Sequence, residues 1–160
     1  MRKNPARLAE LRRQMILDSA AEKAFDDLTR LLATGLEVPI AIVNLLDDDR
    51  DWFKSSVGLA GRESPASSSF CEVFFESSKD LIVVEDTLLD PRFASHPMVV
   101  GPPHVRFYAA ARLTSRGLTL GTLCTYDMSP RKITQEQIQH LQVLSIAAIE
   151  LIEQRTPQPR

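Results

Sequence analysis

Two apolar runs, RFYAAARLT (106–114) and LTLGTLCTYD (118–127), are separated by only Ser115, Arg116 and Gly117. A connection that short permits an antiparallel hairpin, because parallel strands need a crossover of about a dozen residues. The same pattern recurs earlier. PIAIVNLLD (39–47) is a nearly continuous apolar run rich in β-branched residues, an acidic turn follows, and DWFKSSVG (51–58) alternates, with Phe53, Ser55 and Val57 on one side and Trp52, Lys54 and Ser56 on the other. Two hairpins, together with the further strand LIVVED (81–86), define a sheet that is antiparallel in the main.

Helical periodicity occupies both ends of the chain. Leu8, Leu11 and Met15 mark an amphipathic helix within 1–18, ahead of a domain at 19–155. Ser19 with Glu22 has capping-box spacing, and Phe25, Leu28, Leu32 and Leu36 form one face of a second helix, which Gly35 or Pro39 helps to end. Residues 58–69 read as a loop, and Phe70–Ser77 as a short helix capped by a preceding serine. The segment 87–105 holds four prolines and no sustained period, which predicts a long irregular connection with one helical turn at Arg92–Ser95.

Thr134 and Gln137 offer a second capping box. It opens a helix over 138–152 with Leu141, Leu144, Ala148 and Ile152 on one stripe and Val143, Ile146, Ala147 and Ile149 on another. A helix this widely apolar predicts two partners, the sheet and a second subunit, so Leu141, Leu144, Ala148 and Ile152 are the candidate residues of a homodimer helix. TPQPR at the end reads as a tail or linker at 156–160. The fold class is therefore α+β, with helices packed on an antiparallel sheet.

Composition narrows the function. A chain of 160 residues is one domain by size, and a net charge of -2 favours no polyanionic partner, so no nucleic acid is expected. No stretch approaches the roughly 20 apolar residues that span a bilayer, and the basic N-terminus lacks a continuous apolar core. A cytoplasmic protein is expected. Two cysteines far apart form neither a disulfide framework nor a zinc pattern, the Asp47–Asp51 turn lacks EF-hand spacing and reads as a solvated hairpin, and His96 and His104 have no third close ligand. No metal site follows, nor any glycine-rich phosphate loop or nucleophile elbow.

Four stretches together, VPIAIVNLLDDDRDWFKSSVGL, SFC at 69–71, DPRFASHPMVVGPPHVRFYAAARL and GTLCTYD, resemble the GAF domain family over about residues 20–153. The pattern is similar to the subgroup attached to histidine kinases and diguanylate cyclases. The resemblance implies a central antiparallel sheet of five or six strands, terminal helices on one face, and a ligand pocket between the other face and the irregular connections. It implies a non-catalytic sensor of an unidentified small molecule that signals through its terminal helices to such an output domain. No particular cofactor is implied. The chain departs from the family pattern at Ala110 and Arg112, where glycine and proline are frequent.

Within that frame the candidate pocket residues are Trp52, Phe53, Ser69, Phe70, Cys71, Asp86, Arg92, Phe93, Phe107, Tyr108, Ala110, Arg112 and Cys124. Aromatics offer large faces with few polar demands, and arginines hold carboxylate or phosphate bidentately. Cys71 at the start of a short helix admits two readings. It is a buried wall, since free cysteine packs as a small hydrophobe, or a thiolate favoured by the helix dipole, in a redox sensor or an enzyme like the methionine sulfoxide reductases of this fold. A structural dimerisation domain with its pocket filled by side chains is the third alternative.

Overall fold

The computed structural model describes residues 1–155, so the tail expected at 156–160 lies outside the described residues. The strands are β1 (Ile40–Leu46), β2 (Arg50–Val57), β3 (Glu63–Pro65), β4 (Leu81–Val84), β5 (Phe107–Ser115) and β6 (Leu118–Asp127). They form one antiparallel sheet in the order β3-β2-β1-β6-β5-β4. At the β5–β6 turn Arg116 and Gly117 take φ of 53° and 74°, the paired left-handed conformation that matches the twist of a tight hairpin.

The helices are α1 (Pro5–Arg13), α2 (Lys23–Leu36), a short α3 (Pro97–Val100) and α4 (Gln135–Arg155). The two-residue period of the strands divides the core into two layers. Ala41, Val43 and Leu45 of β1, with Phe107, Ala109 and Ala111 of β5, pack against Phe25, Leu28 and Leu32 of α2 and Leu141, Ala148 and Ile152 of α4. Ile40, Ile42 and Leu46 face the other way with Tyr108 and Ala110, under Phe70, Phe74, Phe93, Val99 and Val105 of the irregular connections. Each fully buried large apolar side chain here contributes roughly 1.5–3 kcal/mol.

The capping box at Thr134 forms as its spacing predicts: Gln137 N donates to Thr134 Oγ1 at 3.1 Å and Thr134 N donates to Gln137 Oε1 at 3.0 Å. The box expected at Ser19 does not form. Glu22 is itself the N-cap of α2, and both side chains are engaged by Lys54. Lys54 Nζ donates to Ser19 Oγ at 2.8 Å and pairs with Glu22 Oε2 at 2.5 Å. Lys54 reaches them because β2 bulges. Val43 pairs with Ser55 and Asn44 with Phe53, leaving Lys54 as the extra residue. The rough alternation read from the sequence breaks there: Ser55 turns to α2, bonding Asp26 and Thr29, and Phe53 faces the opposite layer.

Other differences have similarly local causes. Helix α1 ends at Arg13, so Met15 is exposed with φ of 53° and Ile16 takes the core position. Helix α2 ends on Glu37, which adopts the left-handed cap conformation, and Gly35 serves packing instead: a Cβ there would lie 2.4 Å from the His140 ring of α4. His140 Nε2 donates to Leu31 O at 3.1 Å across the same contact. The three-residue β3 has no apolar signature, being held by backbone pairing to β2. The regular helical turn in the long connection is α3; residues 91–95 form a non-helical turn.

The α4 stripe also needs correction. Leu141, Ala148 and Ile152 are fully buried within their own chain, and Leu144 packs at the edge of that core. The outward residues are Val143 and Ile146, 63% and 62% exposed.

Candidate functional site

Opposite the helices, a partly open cavity of about 240 Å³ lies between the sheet and the loops. Ile40, Ile42 and Asn44 of β1, Asp51 and Phe53 of β2, and Tyr126 of β6 form its floor. Leu59, Ala60, Glu63, Ser64 and Ser68–Phe70 make one wall, and Met98, Pro103 and Val105 the other. The volume lies just below the roughly 300–1,000 Å³ of drug-sized sites, so it suits a small ligand. The lining side chains leave this space unfilled.

Of the thirteen candidates, Phe53, Ser69 and Phe70 line the cavity. Ser69 starts the 3-10 turn Phe70–Phe75 as predicted, its Oγ accepting from Cys71 N at 3.1 Å. Phe70 is wedged in an aromatic cluster, its ring centroid 4.2 Å from His96 and 5.2 Å from Phe93. His96 caps α3, its Nδ1 accepting from Met98 N at 3.0 Å, and burial pushes its pKa down, so the ring is neutral. Cys71, Phe93, Tyr108, Ala110 and Cys124 belong to the same layer but sit behind the lining.

The remaining candidates lie elsewhere. Trp52 and Phe107 point to the helix side, since strand alternation puts each on the face opposite its neighbours Phe53 and Tyr108. Asp86 caps the 3-10 turn Thr87–Leu89 and pairs with Arg106, while Arg92 is held by Asp90 at 2.7 Å. Arg112 clamps the loop before β4: it donates to the carbonyls of Phe74, Ser77 and Lys79 at 2.6–2.9 Å, to Thr119 Oγ1, and to Asp80. Its donors are occupied, so it is no ligand anchor.

The polar floor was missed in the sequence. Asp51, grouped there with the solvated turn, is buried, and its Oδ1 accepts from Arg2 Nη2 at 2.9 Å. Its Oδ2 accepts from Asn44 Nδ2 at 3.0 Å and from Ser69 Oγ at 2.5 Å. Burial raises the Asp51 pKa against these donors. Arg2 also donates to Glu72 and to Asp47 O, both at 2.8 Å, which ties the N-terminus to the pocket floor. The available signal was Asn44 itself, a polar residue interrupting the apolar run of β1.

Cys71 Sγ lies behind that floor, 3.0 Å from Thr122 Oγ1, 3.1 Å from Tyr108 Oη and 3.6 Å from Asn44 Nδ2. Both thiols are free and fully buried. Burial opposes ionisation of Cys71, but hydrogen bonds from Cys124, Thr122 and Tyr108 draw its pKa down. Burial pushes Cys124, Tyr108 and Tyr126 well above their ordinary values, so all three are neutral.

Fold and site define a class: an α+β module with helices on one sheet face and a small loop-roofed cavity on the other. The chain belongs to the GAF domain family, whose model matches residues 20–150. It is 40% identical over 117 residues to a cyclic di-GMP phosphodiesterase of Pseudomonas aeruginosa, a match taking in 72% of this chain. The chain spans 20% of that relative's length. The GAF domain of an Acinetobacter phosphoenolpyruvate-protein phosphotransferase superposes with a TM-score of 0.68 at 19% identity, covering 94% of this chain and 95% of that one. A type II free methionine-R-sulfoxide reductase from Thermoplasma acidophilum gives 0.65 at 11% identity, covering 83% and 92%. These two likenesses concern the fold.

Proposed function

We propose that the chain is a regulatory, non-catalytic sensor module of a bacterial signalling protein, and that a small molecule in the cavity sets its state. The observation that carries this reading is the cavity itself, whose floor belongs to the sheet and whose walls belong to the 59–70 and 98–105 segments. A ligand closing those walls on the floor would bias the sheet and α4 by its differential affinity for the two arrangements. The output would be an enzyme of cyclic di-GMP turnover or a histidine kinase; similarity to part of a cyclic di-GMP phosphodiesterase supports the first. A cytoplasmic location fits this role, and among the described residues no helix is long and apolar enough to cross a membrane.

Native mass spectrometry of protein purified from its own cells should reveal a retained small molecule. Protein that retains nothing, and whose Tm no cell-extract fraction raises, would sink the reading. The donors around Cys71 favour a second reading, thiol redox chemistry; methionine sulfoxide turnover that disappears in Cys71→Ser would establish it instead. A homodimer is proposed through Val143 and Ile146 of α4, the exposed apolar positions of that helix. Light scattering should report a dimer that Ile146→Glu dissociates, and a wild-type monomer at micromolar concentration would end that proposal.

A further inference from the structure

Among the described residues, the buried side-chain polar atom without a hydrogen-bond partner is Asn44 Oδ1, and Asn44 is one of the residues that form the cavity floor. Asn44 is 1% exposed. Its orientation is fixed by the network, because Nδ2 donates to Asp51 Oδ2 at 3.0 Å. A flipped amide would set two acceptors against each other and lose that bond. The free position on the floor is therefore an acceptor, and buried acceptors in native proteins are almost always satisfied.

The charged residues that line the cavity have one sign. Asp51 and Glu63 both line the cavity, whereas none of the described lining residues is Lys, Arg or His. Arg2 pairs with Asp51 at 2.9 Å and Arg50 with Glu63 at 3.5 Å, but neither arginine lines the cavity, so a phosphate or carboxylate entering here would meet carboxylate and amide oxygens with no lining cation to receive it, a costly desolvation. Around the acceptor the surfaces are apolar and partly aromatic, from Ile42, Phe53, Phe70 and Val105.

Resting on the sensor reading above, we infer that the cavity takes a small, flat, apolar molecule that is neutral or cationic and donates an N–H to Asn44 Oδ1. Anionic ligands are disfavoured, because the lining offers them acceptor oxygens and no cation. Asn44 is then the specificity-determining residue, and Asp51 and Ser69 are positioning residues that hold its amide in the receptive orientation.

The test uses three probes of one shape, benzamide, benzamidine and benzoate, titrated into the full chain and followed by amide chemical shifts. Benzamide and benzamidine should shift Ile42, Phe53 and Phe70, and benzoate should bind at least about tenfold more weakly. Asn44→Leu should bring benzamide down to the level of benzoate. Benzoate binding as tightly as benzamide at these residues would overturn the donor inference and leave a ligand pocket standing. Shifts from none of the three at millimolar concentration would overturn the inference and count against the pocket as well. If the Asn44→Leu protein does not fold, the ranking in the wild-type chain decides. A natural ligand recovered with a phosphate or carboxylate group would likewise end the inference while confirming the sensor.

Discussion

Replacing Arg2 by Met should show how firmly the N-terminus is fastened to the pocket floor. Arg2 and Asp51 meet at 2.9 Å with side-chain exposures of 7% and 4%, so the pair is largely removed from water. Removing the cation strands a buried carboxylate with only Asn44 and Ser69 as donors, at an expected cost of about 3 kcal/mol at neutral pH. The sign with pH is distinctive. The Asp51 pKa is already raised by burial, and Arg2 is one of the groups holding it down, so Arg2→Met raises it further. A carboxyl whose folded pKa exceeds its unfolded one binds its proton more tightly in the native state, so stability is regained as pH falls through the folded pKa. The Arg2→Met penalty should therefore shrink by about 1 kcal/mol or more between neutral pH and about pH 5. Asp51→Asn alone removes the charge that needed compensation and should cost about 1 kcal/mol, while the double variant should be milder than the sum by about 2 kcal/mol. Urea unfolding of all four proteins at both pH values measures this directly. A penalty for Arg2→Met that is independent of pH and additive with Asp51→Asn would refute the reasoning.

Two further perturbations test other parts of the structure. Glu10 is buried and accepts from Arg13, Gln14 and Ser115, and the Arg13 hydrogen bond leads the causes that lower its pKa from 4.5 to about 2. That stability is present above pH 4.5 and lost as pH falls toward 2. Allowing for the 38% exposure of Arg13, Glu10→Gln should cost about 2 kcal/mol at neutral pH and flatten the acid limb of the stability curve, and unchanged acid unfolding would disprove the assignment. At Gly121 an added Cβ would lie 1.9 Å from Asn44 O, in the backbone of the neighbouring strand. Gly121→Ala should lower stability by about 3 kcal/mol, or about 10 °C in Tm, and weaken benzamide binding by displacing β1; a Tm unchanged in calorimetry would count against it.

The layers of the fold could be read from the sequence because they follow from period and loop length. The β5–β6 hairpin, the α2 face and the Thr134 capping box each depend on residues within a few positions of one another. The cavity could not be read in the same way, since its sidedness passes through a β-bulge. One additional residue at Lys54 shifts the phase of β2, and nothing in DWFKSSV marks it. Trp52 and Phe107 were expected at the pocket because aromatics suit pockets, but on a strand the face is decided by parity, and each has the wrong one. Arg112 is a candidate for its charge, yet four of its five donors are consumed by the distant segment 74–80 and the fifth by Thr119. Asp51 reads as a solvated turn residue until Arg2 arrives from 49 positions earlier. Asn44 carried the one local clue, a polar side chain where the strand should be apolar.

The bare Cα at Gly35 acts as a socket for the His140 ring, and Arg155 at the far end of α4 is latched to Glu22 at the start of α2 at 2.6 Å. Held at two points along its length, α4 cannot roll about its own axis against α2 without breaking both. The pair is therefore a two-point coupling of the kind used to carry thrust, and a signal leaving the sheet along α4 would have to travel as a tilt or slide shared by both helices.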